Sequence, residues 1–552
     1  MPFTKIVKYI LIVLGVLVIC VFVSDLGVGY YFNKKIRSRL ETEVHNASGG
    51  EYKLSIGEIH VSIFTKSFVV NGIKLIPKTP EEKYSDPRFR VTANKIIVHN
   101  FSLWKFLRSQ DLRLSSVTFV QPEIKIYQQT RFEDVTANDS LQYSFPLYQI
   151  VKSEVRSVSI EHVEIKNCKL DVFKSFSDTI GVFTGRGNNI AIANFRVNDT
   201  CEKMHHIFLA DDLMATTSEF VYNIAELYHL EGKNFKASYK DSSVTIDSLK
   251  LIPKYSKKEF AYKAGRQTDR IQSNSSAIRF KNLDVKLFYE RNWLITDEME
   301  IKSLSISAYR DKNVRRDPHE AKSLQQLIRD TPFLIKIRKT ILRHANIIYE
   351  ELGKEKDKTV TVKFSDLNGI IENLNNDTLH YDEKSSLHIS ATGNFMDRAK
   401  SVITLDFPLN TTKSVFTSRG KMGAMPVSTL TDFFQTQLSL TFKSGEVDSM
   451  IFSINANDQF SAGTMRFYYH DLSVQLINDE NKSGLKEKIM TTVINNFIIK
   501  KSNPEKNREA RITEIHYERD RQKFIFNYLW NSLLSGIKPA IGIKEKNKKE
   551  DT

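Results

Sequence analysis

The sequence predicts a mainly β protein, an elongated and curled antiparallel sheet with an apolar groove, built from duplicated units. Three observations lead to this prediction. Apolar and polar residues alternate with period two along most of the 552 residues, several segments recur at a nearly constant offset, and helical patterns are few. Such alternation is typical of strands that have one buried and one solvated face, as in antiparallel sheets.

The duplication rests on three pairs of segments. VNGIKLIPK at residues 70–78 recurs as IDSLKLIPK at 246–254, an offset of 176 residues. VEIKNCKLDVF at 163–173 aligns with TILRHANIIYE at 340–350, and NDT at 198–200 recurs at 376–378. Because this period is far longer than the roughly 20 to 50 residues of ordinary solenoid repeats, each unit is expected to be a small sheet that joins its neighbour edge to edge.

The N-terminus predicts one transmembrane helix. Residues 9–24 are uncharged and almost wholly apolar, and with their flanks they reach the roughly 20 residues that a helix needs to cross a bilayer. A cleaved signal peptide is the alternative, but no small-x-small cleavage site follows the apolar run. The lysines and arginines on the two flanks do not decide the orientation of this anchor.

The predicted organisation has six parts. They are an N-terminal anchor (1–35), a first β-groove unit (36–230), a second β-groove unit that duplicates it (231–380), a C-terminal β region (381–480), a C-terminal helical cap (481–543) and a disordered tail (544–552). Few and short helices are expected within the body, at residues 320–330 and after Pro426. A longer one is expected at 524–534, closed by Gly536 and Pro539.

This C-terminal helix has two interpretations. Its apolar and aromatic residues could lie in a membrane interface, or they could dock on the end of the sheet as a cap. The cap is favoured because an open sheet end needs protection against edge-to-edge pairing.

Composition excludes several function classes. The formal net charge of +15 is dispersed, and no helical reading motif or basic-aromatic platform indicates nucleic-acid binding. No catalytic or phosphate-binding signature occurs, so the chain is predicted not to be an enzyme and to need no cofactor. The segment CEKMHH at 201–206 matches no standard zinc spacing, and no metal site is predicted. With three cysteines, one of them inside the apolar N-terminal run, the fold does not depend on disulfides.

The few predicted helices cannot cover a sheet of this length, although its apolar face must be buried. The sheet must therefore form sandwiches, close into barrels, or curl into a trough whose apolar inside holds something else. The duplication favours the trough. The candidate lipid-groove residues are the alternating apolar positions Ile59, Val61, Ile63, Val117, Phe119, Ile124, Ile126, Leu170, Val172, Leu405, Phe407, Leu440, Phe442, Met465, Phe467, Leu472 and Val474.

Most of the chain resembles the bacterial AsmA-like family, which is related to TamB and to bridge-like lipid-transfer proteins. The resemblance is one of pattern and order, in residues 51–77, 88–107 and 112–127 and again in 393–409, 419–430, 440–477 and 526–543. It implies a single-pass anchor in the inner membrane of a Gram-negative cell, a body in the periplasm and a curled β-sheet with an apolar groove.

The function expected from this resemblance is lipid transfer for outer-membrane biogenesis, with phospholipid acyl chains held in the β-groove. The expected partners are phospholipid, the inner membrane, and outer-membrane or assembly-machinery proteins. The alternative is an assembly factor for outer-membrane proteins that acts by strand-edge templating.

Overall fold

The structure is a computed structural model. It describes residues 37–38, 41–42, 44–46, 48, 50–62, 67–78, 88–100, 108–127, 148, 152, 155–175, 178, 180–204, 208–353, 359–431, 440–476 and 499–543. The predicted transmembrane anchor and the predicted disordered tail lie outside these residues. Among the residues described, no helix combines the length and the apolar character that a membrane span requires.

The fold is mainly β, as predicted. The strands are β1 (Tyr52–Ser55), β2 (Ile59–Ser62), β3 (Ser67–Pro77), β4 (Arg88–His99), β5 (Asp111–Val120), β6 (Glu123–Tyr127), β7 (Ser157–Phe173), β8 (Phe183–Val197), β9 (Asp212–Ile224), β10 (Tyr228–Ser238), β11 (Ser243–Pro253), β12 (Asp269–Ser275), β13 (Ala277–Lys281), β14 (Leu294–Lys302), β15 (Ser305–Asp311), β16 (Ile335–Leu352), β17 (Thr359–Asn375), β18 (Ser386–Phe395), β19 (Ala399–Pro408), β20 (Phe416–Met422), β21 (Met425–Pro426), β22 (Leu440–Ala456), β23 (Phe460–Leu476) and β24 (Ile512–Glu518).

Helices are few and mostly short. Those whose bounds lie within the described residues are α1 (Asp199–Lys203), α2 (Lys257–Ala264), α3 (Val285–Arg291), α4 (Leu324–Arg329) and α5 (Ile525–Ala540), with 3-10 turns at Thr378–His380 and Val427–Leu430. The helix predicted at 320–330 is thus shorter than expected and begins at its N-cap, Ser323, whose side chain accepts a hydrogen bond from the Gln326 amide. The helix expected after Pro426 is a 3-10 turn over the residues described there.

The chain divides into two compact units. Unit 1 comprises residues 1–249 and 279–295, and unit 2 comprises residues 250–278 and 296–552. In unit 1, β1 and β2 pair with β3, β3 with β4, and β4 with both β5 and β6. Both β5 and β6 run parallel to β7, and β7, β8, β9 and β10 continue as antiparallel neighbours.

Unit 2 follows the same plan. β12 pairs with β15, β15 runs parallel to β16, and β16 to β20 are successive antiparallel neighbours. β20 then pairs with β22, β22 with β23, and β23 with β24, while the short β21 also lies beside β22.

The predicted antiparallel sheet is therefore wrong in one respect, because the sheet is mixed. Parallel pairing requires a long connection that returns the chain to the same end of the sheet. The chain has one between β6, which ends at Tyr127, and β7, which begins at Ser157. It has another between β15 and β16, and this second connection contains α4. Apolar alternation tells which face a residue takes but not the direction of the neighbouring strand.

Similar backbone features occur in both units at these parallel joins. In unit 1 the Gln121 amide donates to the Lys166 carbonyl at 2.8 Å, and in unit 2 the Ser303 amide donates to the Arg343 carbonyl at 2.9 Å. Gln121 and Ser303 both have positive φ, 48° and 50°. Gln121 lies between β5 and β6, which both pair with β7. Ser303 lies between β14 and β15, which both pair with β16.

A second pair of equivalent irregularities lies in the following hairpin. The pairing of β7 with β8 shifts register around Cys168, and that of β16 with β17 shifts around Ala345. The residues just before these shifts, Asn167 and His344, have φ of 52° and 53°. Asn167 and His344 are 177 residues apart, which is also the offset between the segments 163–173 and 340–350. The segments 163–173 and 340–350 are thus equivalent strands with equivalent bulges.

Asparagine side chains hold both bulges in the same way. The Oδ1 atom of Asn189 accepts the amide of Asn167 at 2.9 Å, and that of Asn368 accepts the amide of His344 at 3.1 Å. A bulge leaves backbone groups without a ladder partner, and these side chains provide one. The two units therefore share the position of a bulge and the type of side-chain contact that stabilises it.

The C-terminal helix α5 is longer than predicted, since it runs through Gly536 to Ala540 with Pro539 inside its last turn. Gly536 does not end the helix because it serves as a contact point. A Cβ atom there would lie 2.9 Å from Cγ1 of Ile515 and 3.2 Å from Met465. The glycine therefore lets the helix approach the sheet closely instead of terminating it.

Candidate functional site: the apolar inner faces

Rows of apolar side chains cross the strands of unit 1 in register. Directly paired residues on neighbouring strands point to the same face of a sheet, so the pairing register identifies each row. We call the face that carries these rows the inner face of unit 1. One row, from β2 to β10, consists of Ile59, Val70, Ile96, Phe119, Ile165, Ile190, Ala215 and Ala237.

Two further rows run beside it, and neither is broken by a charged residue. From β3 to β9 the second row consists of Phe68, Val98, Val117, Val163, Ile192 and Leu213. From β4 to β10, passing through β6, the third row consists of Phe89, Ile126, Val172, Phe183, Tyr222 and Leu230.

Burial decreases along these rows. At the β2 to β5 end the side chains form a closed core, in which Val70 and Val117 are fully buried. At the other end Ile190, Leu213 and Ala215 are only half-buried, and they lie outside the core cluster. We call the half-buried positions Ile190, Leu213, Ala215, Tyr222 and Leu230 the β8–β10 surface. The same apolar face thus continues from a packed core to a half-exposed surface, and no charged residue interrupts it.

The β8–β10 surface also contains an aromatic ring laid flat over a glycine. Phe220 and Gly232 face each other on β9 and β10, and a Cβ atom at Gly232 would lie 2.1 Å from the Phe220 ring. Phe220 also stacks on Phe183, with ring centroids 6.1 Å apart. The Phe220 ring covers the backbone of Gly232, so this part of the face is apolar.

The predicted groove residues of unit 1 fall on this inner face, mostly at its buried end. Val172 is buried in the same core, and Ile124 and Leu170 pack against it. Val61 lies in β2, but its side chain is not among the described ones, and Ile63 lies outside the described residues. The buried predicted residues in this core are Ile59, Val117, Phe119, Ile126 and Val172.

In unit 2 the predicted residues lie in a second core. Leu405 and Val474 pack against it half-buried, and Leu440 lies in β22 with its side chain undescribed. The fully packed ones are Phe407, Phe442, Met465, Phe467 and Leu472. The structure therefore divides the predicted groove residues between two cores, one in each unit.

The helix α5 covers the apolar face of unit 2 between β16 and β24. Its side chains Tyr528, Leu533, Leu534 and Ile537 are buried in the same core as the sheet residues. On the same face of the helix, Trp530 packs against Phe395, with ring centroids 6.0 Å apart. The amphipathic helix thus supplies the cover that the apolar face of a sheet requires.

Polar contacts fix α5 at the last strand. The Thr513 hydroxyl donates to the Gly536 carbonyl at 2.8 Å, and the His516 amide donates to Oγ of Ser535 at 3.1 Å. The Tyr469 hydroxyl donates to the Ala540 carbonyl at 2.9 Å. Because a backbone amide of β24 is already bonded to the helix, part of this strand cannot pair with another chain.

Little space is left beneath α5. A cavity of about 120 Å³ lies between the helix and the sheet, among apolar residues that include Phe395, Met450, Phe467 and Leu533. Apolar cavities of about 150 Å³ hold a molecule the size of benzene. This cavity therefore has room for a fragment of an acyl chain but not for a whole one.

The titratable side chains in the described part of the interior are held in unreactive forms. Burial raises the pKa of the Cys168 thiol to about 12, so this cysteine is protonated at neutral pH and is not a nucleophile. Burial likewise raises the pKa of Tyr528 to about 12, and its hydroxyl donates to the Asn457 carbonyl at 3.0 Å. Within the described ranges, no three His, Cys, Asp or Glu side chains are grouped as metal ligands.

Sequence reasoning did not include the β8–β10 surface among the candidates. The signal was present, since Ile190 and Ile192 alternate with small and polar residues in the segment NNIAIANF. In β9 and β10, however, Thr, Gly and Ala occupy inner positions, and the alternation shifts phase at the irregularity near Asn234, whose φ is 51°. A shift of phase hides the apolar face from a period-two search.

The chain matches no family model and no curated protein.

Proposed function

We propose that the protein binds phospholipid through the β8–β10 surface of unit 1 and transfers it between membranes. The observation that supports this proposal is the set of uninterrupted apolar rows whose far end remains half-exposed. Exposed contiguous apolar surfaces in proteins mark interaction sites. An acyl chain laid along this surface would continue the core of unit 1 outward.

The energetics favour a long alkyl ligand. Each buried CH₂ group contributes about 0.8 kcal/mol, and no directional partner is required. The side chains of the surface, among them Ile190, Leu213 and Leu230, offer no charge that would have to be desolvated. Such a surface binds acyl chains with little regard to their length, which suits a carrier or a conduit more than an enzyme that acts on one substrate.

The resemblance to the AsmA-like family agrees with this proposal. On this basis the protein acts as a non-enzymatic lipid-transfer factor of outer-membrane biogenesis. It would be anchored in the inner membrane of a Gram-negative cell by its N-terminal apolar segment, with its body in the periplasm.

The test compares substitutions of adjacent residues on opposite faces of β8. Ile190→Asp places a carboxylate on the β8–β10 surface, while Ala191→Asp places the same group on the exposed opposite face. The full chain is purified in each form, and co-purified phospholipid is quantified by mass spectrometry. We expect about a tenfold loss of bound phospholipid for Ile190→Asp and no loss for Ala191→Asp, because only the carboxylate at position 190 would lose its water beneath a bound acyl chain. Equal phospholipid in all three proteins would refute the proposal.

Other predicted groove residues are less suitable for this test. Ile126 and Phe467 are each 4% exposed and belong to the two cores. A charge at either position would unfold its unit, and the loss of lipid would then have two explanations. The half-buried Ile190 avoids this ambiguity, since a solvated carboxylate there leaves the core intact.

A further inference from the structure

A second apolar surface lies on the outer face of unit 2, on the side opposite to α5. It is a row that crosses β19, β20, β22, β23 and β24 in register and consists of Val402, Lys421, Ile451, Arg466 and Ile512. We call this row, with Arg419, the outer row. Its aliphatic members are unusually exposed, at 51% for Val402, 39% for Ile451 and 57% for Ile512.

The charges of the outer row are of one sign. Arg419, Lys421 and Arg466 have no carboxylate within 4.0 Å among the described residues. All three line a shallow hollow together with the aliphatic residues, and none of the described residues that line this hollow is Asp or Glu. Glu514 flanks the row from the next position on β24, where it pairs across the sheet with Thr464. The hollow thus combines exposed aliphatic groups with positive charge, and Glu514 lies at its margin.

Another strand is not a suitable partner for this surface. The central strands β20, β22 and β23 are hydrogen-bonded on both sides, so no peptide can join them by strand addition. Recognition must come from side chains alone. Lysine and arginine extend along an apolar surface and place their charges at its margin, which is the arrangement that meets phospholipid headgroups while aliphatic neighbours enter the interface.

We infer that the outer row of unit 2 is a docking surface for a membrane that contains anionic phospholipid. Lysine and arginine near such a membrane each contribute about a factor of five in affinity, and the contribution falls off within a Debye length. Three such residues beside exposed Val402, Ile451 and Ile512 provide a weak and salt-sensitive contact. This inference does not rest on the lipid-binding surface of unit 1, since the two surfaces share no residue.

The experiment uses the full chain immobilised on beads and fluorescent vesicles. Vesicles of phosphatidylcholine alone measure capture by the apolar N-terminal segment, and vesicles that also contain phosphatidylglycerol measure the additional electrostatic capture. The variant Lys421→Gln/Arg466→Gln removes two charges of the outer row. The matched control Lys74→Gln/Lys236→Gln makes the same charge change at exposed positions of unit 1.

We expect the additional capture to fall about thirtyfold for the Lys421/Arg466 variant and to change less than about threefold for the control. Ile451→Ser should also weaken it, and high salt should abolish it in the native protein. An equal fall in the variant and the control would overturn the inference, since it would reflect net charge alone. Capture of polyglutamate without capture of phosphatidylglycerol vesicles would assign the surface to an acidic protein and would also overturn it.

A negative vesicle-capture result for the outer row can be told apart from a negative phospholipid result for the β8–β10 surface. Loss of co-purified phospholipid in Ile190→Asp with unchanged vesicle capture would support the inner surface and the outer row separately. Circular dichroism of each variant excludes loss of fold as the cause of a lower capture.

Discussion

The two units share a backbone plan but differ in what covers their apolar faces. Asn167 and His344 adopt the same left-handed conformation, and Asn189 and Asn368 hold the two bulges through the same side-chain contact. In unit 2, α5 packs on the apolar face, whereas no described helix packs in this way on β8 to β10 of unit 1. The two units thus share a backbone scaffold, and what covers the apolar face differs between them.

The comparison explains why one sequence can hold both a packed core and an open surface. Each repeat has the same requirement to bury an apolar face. Unit 2 meets it with its own C-terminal helix, and unit 1 meets it only as far as β7. The half-buried rows of unit 1 are then the part of the protein where a ligand can take the place that α5 takes in unit 2.

The largest expected effect comes from removal of α5. A chain that stops after Lys523 loses Tyr528, Leu533, Leu534 and Ile537 from the core of unit 2. At about 1.5–3 kcal/mol for each buried side chain, the loss approaches the whole stability of a domain. Hydrogen exchange should show loss of protection in β22 to β24 and retained protection in β3 to β5. A chain that stops after Ile543 serves as the control, and retained protection in β22 to β24 without α5 would contradict the covering role of the helix.

A smaller effect is expected from paired phenylalanine substitutions. Phe452 lies over Gly420 in the covered core of unit 2, while Phe220 lies over Gly232 on the open surface of unit 1. Phe452→Ala should cost about 3–5 kcal/mol of unfolding free energy, and Phe220→Ala about 1–2 kcal/mol, because half-exposed rings leave no closed cavity. A denaturant titration, with hydrogen exchange as the readout for each unit, measures the unfolding free energies of both variants. Equal costs would mean that the surface of unit 1 is packed as tightly as the core of unit 2.

The sequence predicted part of this picture correctly. The strand positions followed from alternation at residues such as Phe119, Leu405 and Met465. The parallel joins could not be predicted, because they depend on the course of long connections and not on local pattern. The extent of α5 was also missed, since Gly536 has the chemistry of a helix end and the packing role of a close contact.

The candidate surface was predictable only in outline. Apolar alternation marked the face, but the half-exposed positions of β8 to β10 are separated by irregularities such as those at Gly187 and Asn234. Each irregularity exchanges the faces for the residues that follow. Burial also depends on the presence of a covering element, and this is a property of the tertiary structure.

The equivalence of the bulges predicts equal and moderate effects in the two units. Asn189→Ala and Asn368→Ala each remove the acceptor of a bulge amide, and each should cost about 1 kcal/mol of unfolding free energy. Asn→Asp at the same positions keeps an acceptor oxygen and should cost less. Thermal unfolding of the four variants checks this prediction, and a large effect in one unit only would show that the bulges are not structurally equivalent.

The smallest expected effect is the pH dependence that one carboxylate of unit 1 contributes. The guanidinium of Arg156 donates to the Asp111 carboxylate and lowers its pKa, and the Ser157 hydroxyl adds a second hydrogen bond at 2.8 Å. A lowered folded pKa stabilises the protein above the unfolded value of about 3.8, and this stabilisation is lost as the pH falls through the folded pKa. Asp111→Asn should remove this acid-induced loss of protection in β5. An unchanged acid response would contradict the assignment.

The central claim, that acyl chains occupy the β8–β10 surface, is tested most directly by crosslinking. A phospholipid with a photoactivatable group on its acyl chain is incubated with the full chain, and the crosslinked peptides are mapped by mass spectrometry. We predict crosslinks in β8, β9 and β10 at positions such as Ile190, Leu213 and Leu230, and none at the opposite face around Ala191. Crosslinks that avoid β8 to β10, or that spread equally over both faces, would contradict the account.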